Sequence, residues 1–243
     1  SQTEKDWGFG GGFGFGVGGG NSRRKKNCFP GTALIQVFGL GAMPMSQLHL
    51  DDHVLVAADG GMLSYEPVIA FLHVARTGRR PATFLSLLHT SGELLVSPGH
   101  LVFVLTAAGS RAKTASALQV GDLLMDALGQ PSRVLAIRHD ATTSGMFAPL
   151  TPSGKLVVDG VIVSSYANAL GLHIPHEAFH ALFLPVRAFY FLGLAQARTV
   201  QALGWTNDDA EVDELHPWVH FLKERLYLDK LLAGPGWWAA SAR

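Results

Sequence analysis

Short apolar runs follow one another from Cys28 to about Ala167, and glycine, aspartate, serine or proline interrupts them at close intervals. The runs include "HVLVAADGGML", "ELLVSPGHLVFV" and "KLVVDGVIVSSY". Brief runs rich in valine, leucine and isoleucine, bounded by turn-forming residues, are typical of strands and hairpins. The pattern therefore predicts an all-β unit over residues 28–167.

The predicted β unit contains an internal repeat. "SQLHLDDHVL" from Ser46 matches "SALQVGDLLM" from Ser116, and "VIAFLH" matches "VLAIRH" further along the chain. "TSGELLVSPG" from Thr90 then matches "PSGKLVVDGV" from Pro152, so three matches keep the same order. Chance hardly supplies three such matches in register, and we predict two related halves with a pseudo-two-fold axis between them.

After Ala167 the apolar residues change to helical spacing, in "HEAFHALFLPVRAFYFLGLAQARTVQALG" and in "HPWVHFLKERLYLDKLLAG". In the second stretch Pro217 suits a helix start and Gly234 suits the position after a helix end. We predict a helical appendage over residues 168–243.

The chain opens differently. Residues 7–22, "WGFGGGFGFGVGGGNS", have too little apolar surface to form a core, so residues 1–27 are predicted to be a flexible Gly-rich linker and upstream flank. Because the chain begins with Ser1 and lacks a charged start followed by an apolar signal core, we expect a piece of a longer precursor.

Composition narrows the function classes. Of 243 residues, 48% are hydrophobic, and 19 basic residues balance 19 acidic ones. A neutral balance argues against a nucleic-acid footprint spread over the domain. The single cysteine, Cys28, excludes both an internal disulfide framework and a cysteine-rich zinc site.

The motifs around that cysteine carry a family resemblance. "CFPG" opens the repeated unit, "SPGH" lies at residues 97–100, and "APLTPSGKLVVDGVIVSSYA" closes it. Together they resemble the autoprocessing domain of hedgehog proteins, a member of the Hint superfamily that also includes inteins. The resemblance implies the all-β Hint fold, a duplicated β-hairpin horseshoe with pseudo-two-fold symmetry. The helical appendage resembles the sterol-recognition region of that family.

The resemblance implies that Cys28 attacks the Asn27–Cys28 peptide bond. An N-to-S acyl shift would convert this amide to a thioester, for which sulfur is suited both as nucleophile and as leaving group. An amide nitrogen leaves poorly unless it is protonated, and His100 matches the family residue that has this role. Ser97 stands where the family usually has threonine, and its hydroxyl can still hydrogen-bond to the scissile amide.

Two positions depart from the hedgehog pattern. His73 stands where sterol-transferring hedgehogs have an aspartate that is thought to deprotonate the sterol, and a neutral histidine is also a suitable base. An alternative is that His73 is only a strand residue, like its repeat mate His139. Asn27 replaces a glycine and is bulkier, so the first step is expected to be slower.

The motif "HEAFH" formally matches a zinc-binding pattern, with His176 and His180 on one helix face and Glu177 as a base. No third ligand stands out downstream, although the acidic residues Asp208, Asp209 and Glu211 follow. The segment also resembles a family region that holds no metal. We therefore predict no metal and no cofactor.

The apolar stretch from Ala181 to Leu194 is too short for a membrane span and contains Pro185. Contact with a membrane surface or a lipid is expected, with Trp237 and Trp238 as interfacial anchors. Packing against the β unit is the equal alternative.

The sequence therefore predicts a domain that cleaves itself once, with Cys28 as nucleophile and Ser97, His100 and His73 assisting. A sterol is the expected second substrate, with water as the alternative acceptor. A degenerate module that binds but does not cleave is the third alternative. The expected partner is the covalently attached upstream polypeptide, beside a sterol or membrane lipid and no nucleic acid. We expect a monomer in the secretory pathway (endoplasmic reticulum), then outside the cell or on a membrane.

Overall fold

The computed structural model describes residues 28–57, 62–75, 82–143, 145–168, 174–192 and 214–224. The strands are β1 (Leu34–Val37), β2 (Gly41–Pro44), β3 (His53–Ala57), β4 (Leu63–Pro67), β5 (Ala70–Ala75), β6 (Ala82–His89), β7 (Gly92–Val96), β8 (His100–Thr106), β9 (Gly109–Thr114), β10 (Leu123–Met125), β11 (Pro131–Thr143), β12 (Met146–Leu150), β13 (Lys155–Val158), β14 (Val161–Ala167) and β15 (Glu214–Leu215). The helices are α1 (His176–Leu182), α2 (Leu184–Phe191) and α3 (Pro217–Glu224), and single 3₁₀ turns cover Met45–Gln47 and Ala115–Ala117.

Several predictions fall on other parts of the chain. The linker and flank, including Asn27, lie outside the described residues, and so do Asp208, Asp209, Glu211, Trp237 and Trp238.

Two antiparallel sheets are formed by these strands. The larger has the order β4-β3-β1-β13-β14-β8-β10-β11-β6-β7, with β2 on β1 and β9 on β8. The smaller has the order β12-β5-β15. Strands make up most of the described residues, and the three described α-helices are short and follow the β unit. The prediction of an all-β fold with a helical C-terminal part is confirmed.

The sequence repeat is also a structural repeat. After each 3₁₀ turn an aspartate occupies the same place, and its carbonyl accepts a hydrogen bond from the strand that follows. Val68 N–H donates to the Asp52 carbonyl at 2.9 Å, and Val134 N–H donates to the Asp122 carbonyl at 2.8 Å. These four residues are two aligned pairs of the repeat, so both halves build the same turn.

The two halves exchange strands. β5 of the first half pairs with β12 of the second, and β6 of the first pairs with β11 of the second. The main core is therefore shared, as the contact between the rings of Phe71 and Phe147, 6.4 Å apart, illustrates. A second apolar cluster surrounds Cys28, and it is to this cluster that all three described helices add side chains.

A proline lies at or next to the start of each described α-helix. Pro175, with extended backbone angles, directly precedes α1, and Pro185 lies in the first turn of α2. Helix α3 begins at Pro217, the predicted start, where the missing N–H costs no helical hydrogen bond. Of its apolar face, Leu222 is buried, whereas Phe221 is exposed and stacks on Trp218.

Candidate active site

Cys28 lies in the interior, at the start of the described chain. Its side chain is fully buried. The next residue, Phe29, exchanges two backbone hydrogen bonds with Phe147 of β12, of 2.8 and 2.9 Å. This bridge fixes the backbone immediately after the thiol.

Ser97, in the turn between β7 and β8, holds the backbone of Cys28 from the other side. The Cys28 N–H donates to Ser97 Oγ at 2.7 Å, and the Ser97 N–H donates to the Cys28 carbonyl at 3.0 Å. Ser97 is 1% exposed. Because the Cys28 nitrogen belongs to the predicted scissile amide, Ser97 contacts the group that would depart.

His73 contacts the thiol directly. Its Nδ1 lies 2.6 Å from Cys28 Sγ, and both side chains are buried. The residue lies on β5, where Ala148 of β12 is its neighbour on one side and Leu215 of β15 is its neighbour on the other. Pairing on both edges of the strand fixes the histidine backbone beside the cysteine.

His100 is the first residue of β8 and is fully buried. Its Nε2 lies 2.7 Å from the Ser164 carbonyl, an acceptor, so Nε2 carries the hydrogen. Burial lowers the pKa of His100 to about 4, although the hydrogen bond to Ser164 acts the other way. At neutral pH the imidazole is therefore neutral, with a bare Nδ1 that has no hydrogen-bond partner among the described residues.

Ser97 and His73 thus contact Cys28 itself, and His100 lies beside the residue that follows it. Cys28, His73 and Ser97 are joined by direct contacts, and the ring of His100 lies 4.2 Å from that of Phe29. His139, the repeat mate of His73, is instead exposed on β11. The surroundings of His73 therefore differ from those of its repeat mate, and its role as a base stays a prediction.

The neighbourhood of Cys28 is apolar. Side chains from the β unit and from the helices pack around it, so water is largely excluded and the electrostatic interactions inside are strengthened. The buried members include Ile69, Leu72, Leu101, Leu150, Phe179, Phe183, Val186 and Leu222. None of the helices that the structure describes has the length and apolar character needed to cross a membrane.

The histidines of "HEAFH" have protein partners. His176 Nδ1 lies 2.9 Å from Ser164 Oγ, and His180 Nδ1 lies 3.0 Å from the Tyr166 hydroxyl. Within the described ranges, no three His, Cys, Asp or Glu side chains are grouped as a metal site would need.

Sequence reasoning missed two features of the site. The first is that Ser164 contacts both His100 and His176. The second is that the two-residue strand β15 pairs with β5 beside His73. The motif "HEAFH" contains His176, but its connection to His100 becomes visible only in the fold, where α1 packs against β14. Nothing in "DELHP" distinguishes a strand, since two residues form no periodic pattern.

A family model described as the Hint module matches residues 19–223. The chain belongs to the Hint module family. Among curated proteins it is similar to sonic hedgehog protein from Danio rerio, 30% identical over 173 residues that cover 68% of this chain and 40% of that protein. Protein hedgehog from Drosophila virilis is 30% identical over 207 residues, which cover 80% of this chain and 41% of the relative.

These matches confirm the resemblance to hedgehog autoprocessing domains and, with the sheet topology, the Hint fold. The chain spans about 40% of the length of these hedgehog relatives. Among solved structures, a bacterial intein-like domain from Clostridium thermocellum superposes with a TM-score of 0.47 at 18% identity, covering 57% of this chain and 98% of that domain.

Proposed function

We propose that this chain is a self-cleaving domain in which Cys28 attacks the peptide bond that joins it to Asn27. The observation that carries the proposal is the 2.6 Å contact between Cys28 Sγ and His73 Nδ1 in a buried site. A nucleophile and a base in hydrogen-bond contact are the signature of an activated nucleophile. Ser97 supports the proposal because it holds the nitrogen of the same bond.

In the first step His73 Nδ1 takes the thiol proton as the sulfur attacks the Asn27 carbonyl carbon. A C–S bond forms and the C–N bond breaks, leaving Asn27 as a thioester on Cys28. The Cys28 nitrogen needs one proton to depart as an amine, and the proton released by the thiol supplies it. The step therefore moves one proton from sulfur to nitrogen and needs no cofactor.

His100 is the residue that we propose passes the proton to the nitrogen. In this proposal its bare Nδ1 takes the proton that His73 received from the thiol, which leaves His73 neutral, and a folded-state pKa of about 4 makes the resulting His100 imidazolium a ready proton donor. A strong acid donates readily to a departing amine. Its position beside Phe29, the residue after the nucleophile, supports this role.

In the second step an acceptor hydroxyl attacks the thioester, and His73, neutral again, takes the hydroxyl proton and returns it to sulfur. We propose a sterol as the acceptor, which would release the upstream polypeptide as a sterol ester. The support is the apolar cluster that the helices form with Cys28, because such surroundings favour a lipid over water. Water is the other acceptor, and it would leave a free carboxylate.

The setting follows from the same proposal. The partner is the upstream polypeptide, covalently attached until cleavage, and the domain acts once, in cis, as a monomer. Hedgehog relatives support a location in the secretory pathway, followed by the cell exterior or a membrane.

The experiment uses the precursor with its upstream polypeptide, incubated with cholesterol in detergent micelles. We expect a denaturing gel to show two fragments, and mass spectrometry to find the upstream fragment carrying a sterol. Cys28→Ala, the matched control, should leave the precursor intact. An upstream fragment that ends only in a free carboxylate would replace the sterol with water as acceptor. An intact wild-type precursor would identify a non-cleaving module.

The variant His73→Asp restores the hedgehog residue and sharpens this test. A carboxylate is also a base, so we expect sterol transfer to be kept or increased. Free carboxylate from both the wild type and His73→Asp would reject sterol transfer while leaving cleavage established.

A further inference from the structure

The two histidines of "HEAFH" lie side by side on α1, with their rings stacked 5.8 Å apart. Both rings pack against the ring of Tyr166, but their hydrogen-bond partners differ. His180 contacts the Tyr166 hydroxyl and Arg187, whereas His176 contacts the Ser164 hydroxyl. The contact of His176 leads back to the active site.

Ser164, on β14, joins two histidines through its two ends. Its carbonyl receives the Nε2–H of His100 at 2.7 Å, and its hydroxyl lies 2.9 Å from His176 Nδ1. Ser164 and His100 are fully buried, and His176 is 5% exposed. A continuous hydrogen-bonded path, closed to solvent, therefore connects α1 to His100.

The hydrogens along this path can be assigned. Burial lowers the pKa of His176 to about 4, so its ring is neutral at neutral pH. Ser164 Oγ already accepts the Tyr166 N–H at 2.9 Å. We assign the Ser164 hydroxyl hydrogen to the bond with His176 Nδ1, so that Oγ accepts from the Tyr166 N–H and donates to the neutral ring.

Ser164 also determines which nitrogen of His100 carries the hydrogen. The pairing of β14 with β8 is irregular between Val163 and Ala167, so strand pairing alone does not fix this segment. The Ser164 hydroxyl, held by the Tyr166 N–H and by His176 Nδ1, anchors the segment to α1 and keeps the Ser164 backbone carbonyl aimed at His100 Nε2. The hydrogen of His100 is thereby kept on Nε2 and its Nδ1 is kept bare. The bare Nδ1 is the atom on which the proposed proton transfer depends.

We infer that His176 is a positioning residue for His100, acting through Ser164, so that helix α1 takes part in the first step of cleavage. The inference rests on the proposed function for its effect on rate. Its geometric part, the control of the hydrogen position on His100, does not depend on cleavage.

Two substitutions at one position separate this role from packing. His176→Asn keeps an acceptor near the place of Nδ1 but loses the ring, which lies 5.1 Å from the ring of Phe103. His176→Phe keeps the ring and loses the acceptor. If His176 positions His100, cleavage induced by dithiothreitol should slow about tenfold in the Phe variant and only about twofold in the Asn variant. Packing alone predicts the opposite order.

A second readout is the ¹⁵N NMR signature of the His100 ring, recorded in a Cys28→Ala background that stays intact. We expect the wild-type ring to show hydrogen on Nε2 alone, and the His176→Phe ring to exchange between both nitrogens. His180→Phe is the matched control, because it removes the ring nitrogens from the other histidine of the same face, and it should leave the His100 signature unchanged.

Ser164→Ala provides an independent variant should His176→Phe fail to fold, since it removes the hydroxyl and keeps the carbonyl. We expect it to reproduce both the slower cleavage and the altered signature. An unchanged His100 signature in His176→Phe or in Ser164→Ala would overturn the inference, as would an Asn variant slower than the Phe variant. A wild type that never cleaves would contradict the proposed function alone, because the NMR readout remains.

Discussion

Ser97 and Asp159 occupy the same position in the two halves of the repeat, and each holds a stretch of backbone in the same way. Ser97 accepts the N–H of Cys28 and donates its own N–H to the Cys28 carbonyl. Asp159 accepts the N–H of Leu34 at 2.8 Å and donates its own N–H to the Leu34 carbonyl at 2.9 Å. Ser97 thus holds Cys28, whose thiol is buried, whereas Asp159 holds Leu34, whose side chain is exposed.

The two-bond arrangement is therefore a feature of the repeated fold, and it is not special to the candidate active site. The same pair of hydrogen bonds holds Leu34, which has no thiol, so the arrangement by itself supplies no nucleophile. The first half adds a buried thiol and two buried histidines. In the second half the repeat mate of His73 is the exposed His139, and Ile162 aligns with His100.

The largest effect is expected from the pair His73→Ala and His139→Ala. His73→Ala removes the proposed base from Cys28 Sγ and should slow thiol-induced cleavage about 100-fold. His139→Ala removes an exposed histidine from the aligned position and should leave the rate unchanged. Rates are measured by gel densitometry with saturating dithiothreitol, and equal rates in the two variants would remove His73 from the first step.

The second largest effect concerns the dependence of the free energy of unfolding on pH. His100 has a folded-state pKa of about 4, well below its ordinary value because it is buried, so the unfolded chain binds a proton first. Its contribution to stability is complete above about pH 6.5 and declines as the pH falls toward 4. Between pH 7 and pH 5 it should lower the free energy of unfolding by about 2 kcal/mol.

Urea unfolding of the Cys28→Ala protein at both pH values measures this loss. A His100→Phe version of the same protein lacks the titrating ring and should lose about 2 kcal/mol less over the interval. Equal losses in the two proteins would mean that the pKa of His100 is not lowered in the folded state.

Ser97→Ala should have a smaller effect. It removes the acceptor for the Cys28 N–H, worth about 1 kcal/mol, and should slow thioester formation about fivefold. Ser97→Thr restores the residue that hedgehogs usually have and keeps the hydroxyl, so it should cleave at the wild-type rate. A Thr variant as slow as the Ala variant would show that the hydroxyl is not what matters.

The smallest effect is expected at the aligned position of the other half. Burial raises the pKa of Asp159 to about 6, although the N–H groups of Leu34 and Leu95 act the other way. A raised pKa means that stability is lost as the pH rises through about 6, when the carboxyl must ionise. Asp159→Asn keeps one acceptor oxygen, which can serve the Leu34 N–H, and removes the charge, so it should stabilise the protein by about 1 kcal/mol at neutral pH after allowance for its partial exposure.

Cleavage by Asp159→Asn should proceed at the wild-type rate, because Leu34 takes no part in the chemistry. The free energy of unfolding from urea titration and the rate with dithiothreitol are the two measurements. A variant that is both less stable and slower would show that the second half contributes to the active site.

The repeat could be predicted from the sequence because its aligned turns need particular residues, such as the aspartates at 52 and 122. The meeting of Cys28, Ser97 and His100 was predicted through the family motifs and not from spacing. The roles of Ser164 and β15 could not be predicted, because both depend on which distant strands become neighbours. "HEAFH" resembles a zinc-binding pattern in sequence, but the hydrogen-bond partner of His176 is Ser164 on β14, which sequence spacing cannot identify.

The most direct test of the account is capture of the thioester at Cys28. The folded precursor is treated with hydroxylamine at neutral pH, and the released upstream fragment is weighed. We predict a fragment that ends at Asn27 as a hydroxamate, heavier than the free acid by one NH group, and no release from Cys28→Ala. A fragment that ends at any other residue, or equal release from Cys28→Ala, would contradict the account.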